Sequence, residues 1–338
     1  MATEGIVNPE TATAPAPAGR RAFAQAIEQY GLLILLVLLV AVFAFTPESS
    51  EAFVSLPNIR QLLINQAVTA LIALAMVVPL VAGYFDLSVS AIAGASSITF
   101  AQLVGPVGWP IWASILTALL VSLLLGVVNG IFVAYIRLNG FIVTLGTFIL
   151  IQGLLQWFTG GQTIFQGIPD SVTKWGTQDF IGIPYPFLLL VIVALAIWYF
   201  LMHVPKGREL ESIGSNERAA RLVGIRVSRN VFYTFLTSAF IAGIAGILIT
   251  SRAGSADPTS GPGYLFPALA AVFLGATCIR PGKYNVWGTI IGVYLLAVAV
   301  NGFTLLGADP WVTPVFNGLA LVVAVLVSTL MARSRATK

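Results

Sequence analysis

Leu62-Leu63-Ile64-Asn65-Gln66-Ala67-Val68-Thr69-Ala70-Leu71-Ile72-Ala73-Leu74-Ala75-Met76-Val77-Val78-Pro79-Leu80-Val81-Ala82-Gly83 carries no charged side chain. A run of that length and polarity is what a helix needs to cross the roughly 30 Å hydrocarbon layer of a bilayer. Similar runs follow at Leu87–Val104, Ile111–Tyr135, Phe141–Phe158, Ile183–Met202, Val231–Thr250, Tyr264–Thr277, Val286–Leu306 and Val312–Met331, and one precedes at Tyr30–Phe45. About ten spans are therefore expected, in an all-α polytopic membrane protein. The eighth is short for a crossing and is expected to be broken, tilted or re-entrant.

Composition agrees. The 338 residues are 58% hydrophobic and 9% charged, with a mean hydropathy of +0.93. Soluble domains carry about 25% charged residues. The balance excludes a soluble enzyme, a nucleic-acid binder and a disordered chain. One cysteine, Cys278, and one histidine, His203, exclude an internal disulfide and a protein-only metal centre. Residues 1–21, rich in Ala, Pro and Thr at their start, read as a disordered cytoplasmic tail, residues 22–332 as the membrane domain and residues 333–338 as a second tail. Arg20-Arg21 ahead of an apolar run is reminiscent of an export signal, but Phe43-Ala44-Phe45 is no cleavage site, so the first span is retained.

Charge sets the orientation. With both termini in the cytoplasm, all of the 17 basic residues except Arg60, Lys174 and Arg252 fall inside, as the positive-inside rule asks. A faint repeat has an offset of 172 residues: Val128-Asn129-Gly130 meets Val300-Asn301-Gly302, Val143 meets Val315, and Gly146 meets Gly318. The copies would be spans 2–5 and 7–10. Five spans is an odd number, so the second copy is inverted, a transporter signature.

No charged group falls in the middle of a span, which argues against a proton-driven carrier and against a charged solute. Neutral polar groups there exchange hydrogen bonds with a hydroxyl-rich solute, or simply join helices. Asn65, Asp86, Asn129, Thr144 and Asn301 are the candidates for a translocation pathway. The small residues Ala239, Ala242, Gly243, Ala245 and Gly246 read as a packing seam. There is no phosphate loop of the GxxxxGK[ST] type and no HExxH or GxSxG motif, so energy must come from another chain.

The most informative loop is 203–230. Asn216 suits an N-cap, Glu217 the first turn and Gly224 a C-terminal stop. Two turns of helix between such caps do not hold alone in water and need a surface to dock on. Ala219 and Ala220 are small enough to enter a cleft.

Gly207-Arg208, Ser212-Ile213-Gly214-Ser215-Asn216-Glu217 and Ala219-Ala220-Arg221-Leu222-Val223-Gly224-Ile225 resemble the coupling loop of ribose-type monosaccharide ABC importer permeases, within the branched-chain amino acid/sugar permease superfamily. Phe85-Asp86-Leu87-Ser88-Val89, Gly126-Val127-Val128-Asn129-Gly130, Phe141–Thr147 and Thr159–Ile164 extend the resemblance, as does Gly275–Gly302. Ser90 and the turn Thr277–Lys283 depart from it. The resemblance implies a bacterial plasma (inner) membrane permease without enzymatic activity of its own. It also implies a second permease copy or paralogue, two ATPase subunits that bind ATP and Mg, and a periplasmic or lipid-anchored sugar-binding protein. By the same resemblance Asn216, Glu217, Ala219, Ala220, Arg221 and Gly224 couple the loop to the ATPase, and Asp86 sits at a cytoplasmic helix N-terminus. A branched-chain amino acid or nucleoside solute, or a secondary transporter, is the alternative.

Overall fold

The computed structural model describes the backbone of residues 18–336 and the side chains of residues 29–327. The helices, in chain order, are α1 Ala18–Phe45, α2 Ser50–Phe53, α3 Leu56–Val81, α4 Val89–Val104, α5 Ile111–Gly130, α6 Gly140–Thr159, α7 Asp170–Thr177, α8 Tyr185–His203, α9 Pro205–Ser215, α10 Glu217–Leu222, α11 Val227–Ala253, α12 Leu265–Gly275, α13 Val286–Leu305 and α14 Val312–Ala336. A two-stranded hairpin, β1 Asp179–Phe180 and β2 Ile183–Pro184, precedes α8. Each of the ten expected spans is a helix, and among the described residues six are long and apolar enough to cross a bilayer outright. This is an all-α polytopic membrane protein.

Residues 1–17 of the expected N-terminal tail and 337–338 of the C-terminal one lie outside the described residues. The first helix begins at Ala18, ahead of Arg21 where the tail was expected to end; Ala and Arg are strong helix formers. The eighth span is short, as expected: α12 has 11 residues and is entered through a 3₁₀ turn at Pro262–Tyr264.

Local chemistry sets the helix ends. Ser55 caps α3 by accepting from the Asn58 amide, Asn139 caps α6 through Ile142, and Asn285 caps α13 through Gly288. Gly160 and Gly254, both left-handed, close α6 and α11. A π turn at Ile131–Tyr135 continues α5 beyond Gly130.

Helices α3 and α4 are the most enclosed, with α11 and α13 next, while α5, α6 and α8 keep broad apolar faces exposed. The seam read from sequence is real. A methyl group on Gly246 would meet the Ala93 carbonyl oxygen at 2.2 Å, and one on Gly126 would meet Ala239 at 2.5 Å. These gaps bring α11 against α4 and α5.

The packing also repeats. α11 lies on α4 and α5, and α3 lies on α12 and α13; α4 contacts α5 and α6 as α12 contacts α13 and α14. The two copies of the Asn-Gly pair face opposite ends of the bundle. Asn129 bonds to Ser88, at the end where the 203–230 loop lies, whereas Asn301 bonds to Asn58 near the start of α3, at the other end. Inversion of the second copy requires this.

Candidate functional site

The loop between α8 and α11 is two short helices fixed to the bundle. Pro205 opens α9 at a position where its missing N–H costs nothing. Two glycines then let α9 approach backbone. A methyl group on Gly207 would meet the Leu201 carbonyl oxygen at 2.4 Å, and one on Gly214 would meet the Val81 carbonyl oxygen at 2.2 Å. Leu210 and Ile213 are buried in a small second core together with Val133 and Ala134 of the π turn and Val227, Val231 and Phe235 of α11.

At Asn216 the chain turns out of helix, and its side chain accepts from the Ala219 amide at 3.0 Å. After α10 the Gly224 amide donates to the Arg221 carbonyl at 3.1 Å and the Ile225 amide to the Ala220 carbonyl at 3.0 Å. With Gly224 at φ +86° this is a Schellman stop. The caps expected from sequence are both present.

Side chains then divide α10 into two faces. Ala220 is 3% exposed and packs on the bundle, so it does not offer itself to a partner's cleft as expected: the Schellman turn rotates it inward beside Ile225. Ala219, Arg218 and Asn216 face outward. Leu222 and Val223 are 89% and 77% exposed, a bare apolar tip that sequence reasoning left out of the site. Their signal was two large apolar residues directly before a stop glycine, in a loop otherwise basic.

Glu217 fastens the inward face. Arg221 Nε donates to Glu217 Oε1 at 3.1 Å, with Nη2 on the same oxygen, and the Tyr84 hydroxyl donates to Oε2 at 3.0 Å. The Arg221 hydrogen bond holds the Glu217 carboxyl below its ordinary range, against burial, which raises it. Burial, followed by the hydrogen bond to Glu217, pushes the Tyr84 phenol up to about 12. Tyr84 is therefore a neutral donor at any physiological pH.

Tyr84 also begins the turn that ends in Asp86. The Asp86 carboxylate accepts from the Ser88 amide at 3.1 Å, the Ser88 hydroxyl at 2.5 Å and the Ser238 hydroxyl of α11 at 3.0 Å. Asn129 Nδ2 donates to Ser88 Oγ at 2.8 Å and its Oδ1 accepts from the Thr147 hydroxyl at 2.7 Å. Thr144 Oγ1 accepts from the Leu87 amide at 3.1 Å and donates to the Gly140 carbonyl at 2.7 Å. Three of the candidate pathway residues thus meet in one network that ties the 82–88 turn to α5, α6 and α11.

Asp86, Asn129 and Thr144 are at most 1% exposed. Enclosed and hydrogen-bonded, they join the turn to the helices around it. The remaining two candidates stand apart from them, toward the opposite end. Asn301 and Asn58 exchange paired amide hydrogen bonds at 3.0 Å. Asn65 accepts from Arg252, whose other nitrogen donates to the Tyr264 hydroxyl at 3.0 Å.

Several basic residues gather at the end of the bundle where the 203–230 loop lies. Arg137 shares a groove with Asn216, Glu217 and Arg221, while Arg280 and Lys283 pair with Glu211 of α9. Arg60 lies at the far end, bound to Asp179 at 2.9 Å and to the Thr177 carbonyl at 3.0 Å.

A family model described as a branched-chain amino acid transport system permease component matches residues 58–325. The chain belongs to this family. The permease is 34% identical over 303 residues to the ribose import permease of Haemophilus influenzae, covering 89% of this chain and 92% of that one. It is 33% identical to the ribose import permease of Escherichia coli K12, over 91% and 96% of the two chains. The D-allose transport system permease protein of the same organism is 30% identical over 92% and 94%. The ribose-type resemblance noted in the sequence is thereby upheld along nearly the whole permease.

Proposed function

We propose that the chain is the membrane-spanning subunit of an ATP-driven importer that carries a monosaccharide or polyol into the cytoplasm. It makes no covalent change in the solute. Separate ATPase subunits, with their own ATP and Mg, dock on the 203–230 loop. A second permease copy or paralogue completes the membrane part, and a periplasmic or lipid-anchored binding protein delivers the solute. The protein sits in the bacterial plasma membrane with both termini in the cytoplasm, the orientation that keeps most of the basic side chains inside.

The observation that carries this reading is the two-faced helix α10. One face is welded to the bundle through Ala220, Ile225 and the Tyr84–Glu217 bond; the other offers Leu222 and Val223 bare to water. An apolar tip on a rigid mount is built to enter a partner's cleft. Closure of the ATPase pair would push that tip, and Tyr84 would pass the push to the turn holding Asp86. The sugar class follows the curated relatives, whose names specify ribose, D-allose and L-arabinose.

The test uses the assembled importer in proteoliposomes. Ala219→Trp and Leu222→Asp should each abolish solute-stimulated ATP hydrolysis while the permease stays inserted and folded. Normal hydrolysis with both variants defeats the docking reading. A panel of labelled pentoses, hexoses, leucine and nucleosides separates the sugar reading from its alternatives.

A further inference from the structure

A cleft of about 560 Å³ opens between the ends of α3, α8 and α13, beside α9. Its walls are apolar and aromatic. Leu80 comes from α3, Leu201 from α8, and Trp198 and Trp287 approach with ring centroids 6.3 Å apart. Tyr284 completes the wall, its phenol pushed up to about 12 by burial. Two cations stand at the cleft, Arg280 and Lys283, and both lean on the same carboxylate, Glu211 of α9. One carboxylate against two cations leaves an excess positive charge. The Lys283 side chain is 57% exposed and spends one of its three donors on Glu211. Arg280 spends Nη1 on the thioether of Met202, a weak acceptor.

Aromatic residues at the ends of spanning helices mark the bilayer interface. Basic pockets between such helices on the cytoplasmic side suit anionic lipid head groups. The volume lies within the range of small-ligand sites. We propose that this cleft holds the head group of an anionic phospholipid. Its phosphate oxygens would lie on Lys283 and Arg280, the latter giving up Met202, and its glycerol and first methylenes against Trp198 and Trp287. Because Glu211 belongs to α9, the bound lipid would brace the same loop that receives the ATPase. The assignment rests on the orientation proposed above, with the 203–230 loop in the cytoplasm, but on no particular solute, so a failed solute panel leaves it standing.

The experiment measures thermal unfolding of the purified full-length permease in detergent with phosphatidylglycerol, with phosphatidylcholine of equal chain length, and with glycerol 3-phosphate. Phosphatidylglycerol should raise the midpoint by several degrees more than phosphatidylcholine does. Glycerol 3-phosphate alone should not. R280Q/K283Q should lose the difference between the two lipids while keeping the response to phosphatidylcholine. K283Q alone, which leaves the Arg280–Glu211 pair in place, guards against misfolding of the double variant: in native mass spectrometry it should retain phosphatidylglycerol at least threefold less than the unaltered protein. Equal stabilisation by both lipids, or full lipid retention by K283Q, overturns the proposal. A full shift with glycerol 3-phosphate also overturns it, in favour of a soluble phosphate.

Discussion

Asn129→Ala separates a structural role for the buried network from a role in solute passage. Asn129 is fully enclosed and makes two interhelical hydrogen bonds, to Ser88 and from Thr147. Side-chain hydrogen bonds between membrane helices average about 0.6 kcal/mol and reach about 1.7, so the pair contributes roughly 1–2 kcal/mol. Neither partner is left wholly unbonded. Thr147 keeps the Val143 carbonyl at 2.9 Å and Ser88 keeps Asp86. The loss of the carboxamide leaves a void of roughly 40 Å³, worth about 1 kcal/mol at the cost per volume of buried truncations. The total is about 2–3 kcal/mol, a fall of several degrees in unfolding midpoint for a bundle of this size. The assay pairs thermal unfolding in detergent with transport per folded molecule in proteoliposomes, well below the midpoint. A lower midpoint with transport retained is the expected result. An unchanged midpoint with transport abolished would refute the reasoning and put Asn129 in the solute's path.

Other perturbations follow from single residues. Ser90 Oγ is buried without a hydrogen-bond partner, so Ser90→Ala should raise stability by about 1 kcal/mol in the same unfolding assay, the desolvation being relieved; a loss of stability counts against it. Ile181 stands at φ +52° at the tip of the β1–β2 hairpin, 86% exposed, with Gly182 at +81°. Asn-Gly is the favoured pair for such a turn, so Ile181→Asn should gain about 1 kcal/mol, since the left-handed conformation costs most side chains about that much; a decrease would show that Ile181 packs on something. The Glu217 carboxyl sits lower in the folded protein than in the unfolded chain. Its contribution to holding α10 is therefore present above the ordinary carboxylate range and is lost as pH falls through the lowered value. A spin label replacing Leu222 should gain mobility in acid, and adding E217Q should make it mobile at neutral pH; mobility independent of pH in the unaltered background contradicts this.

Much of the fold was legible because membrane spans announce themselves. A bilayer demands long uncharged runs, and the runs from Leu62 to Met331 each became a helix. The α10 caps were legible for a local reason: Asn216 and Gly224 act within a few residues of themselves. Partnership across the sequence was not. Nothing in the string says that Asn129 meets Ser88 while Asn301 meets Asn58, because polar residues in apolar helices choose partners by tertiary packing. Helix α9 escaped notice because its mean polarity reads as a loop. Its glycines, which let it touch the ends of α3 and α8, look like flexibility until their neighbours are known. The inward face of Ala220 was hidden for a related reason: a shift of one residue, about 100° of rotation, decides which side of a short helix points outward.

Helix α3 is bound at both ends. Arg60 in its first turns holds Asp179 and the Thr177 carbonyl, and Val81 in its last turn lies under Gly214 of α9. Between these points runs one unbroken helix of 26 residues, about 39 Å long, with its one internal proline, Pro79, in the final turn. A rod without a hinge has no slack. Whatever tilts the hairpin end must displace the α9 end in the opposite sense, as a seesaw does about its pivot. Lesions at Arg60 and at Gly214 should therefore behave as a genetic pair, with a defect at one end correctable by a compensating change at the other.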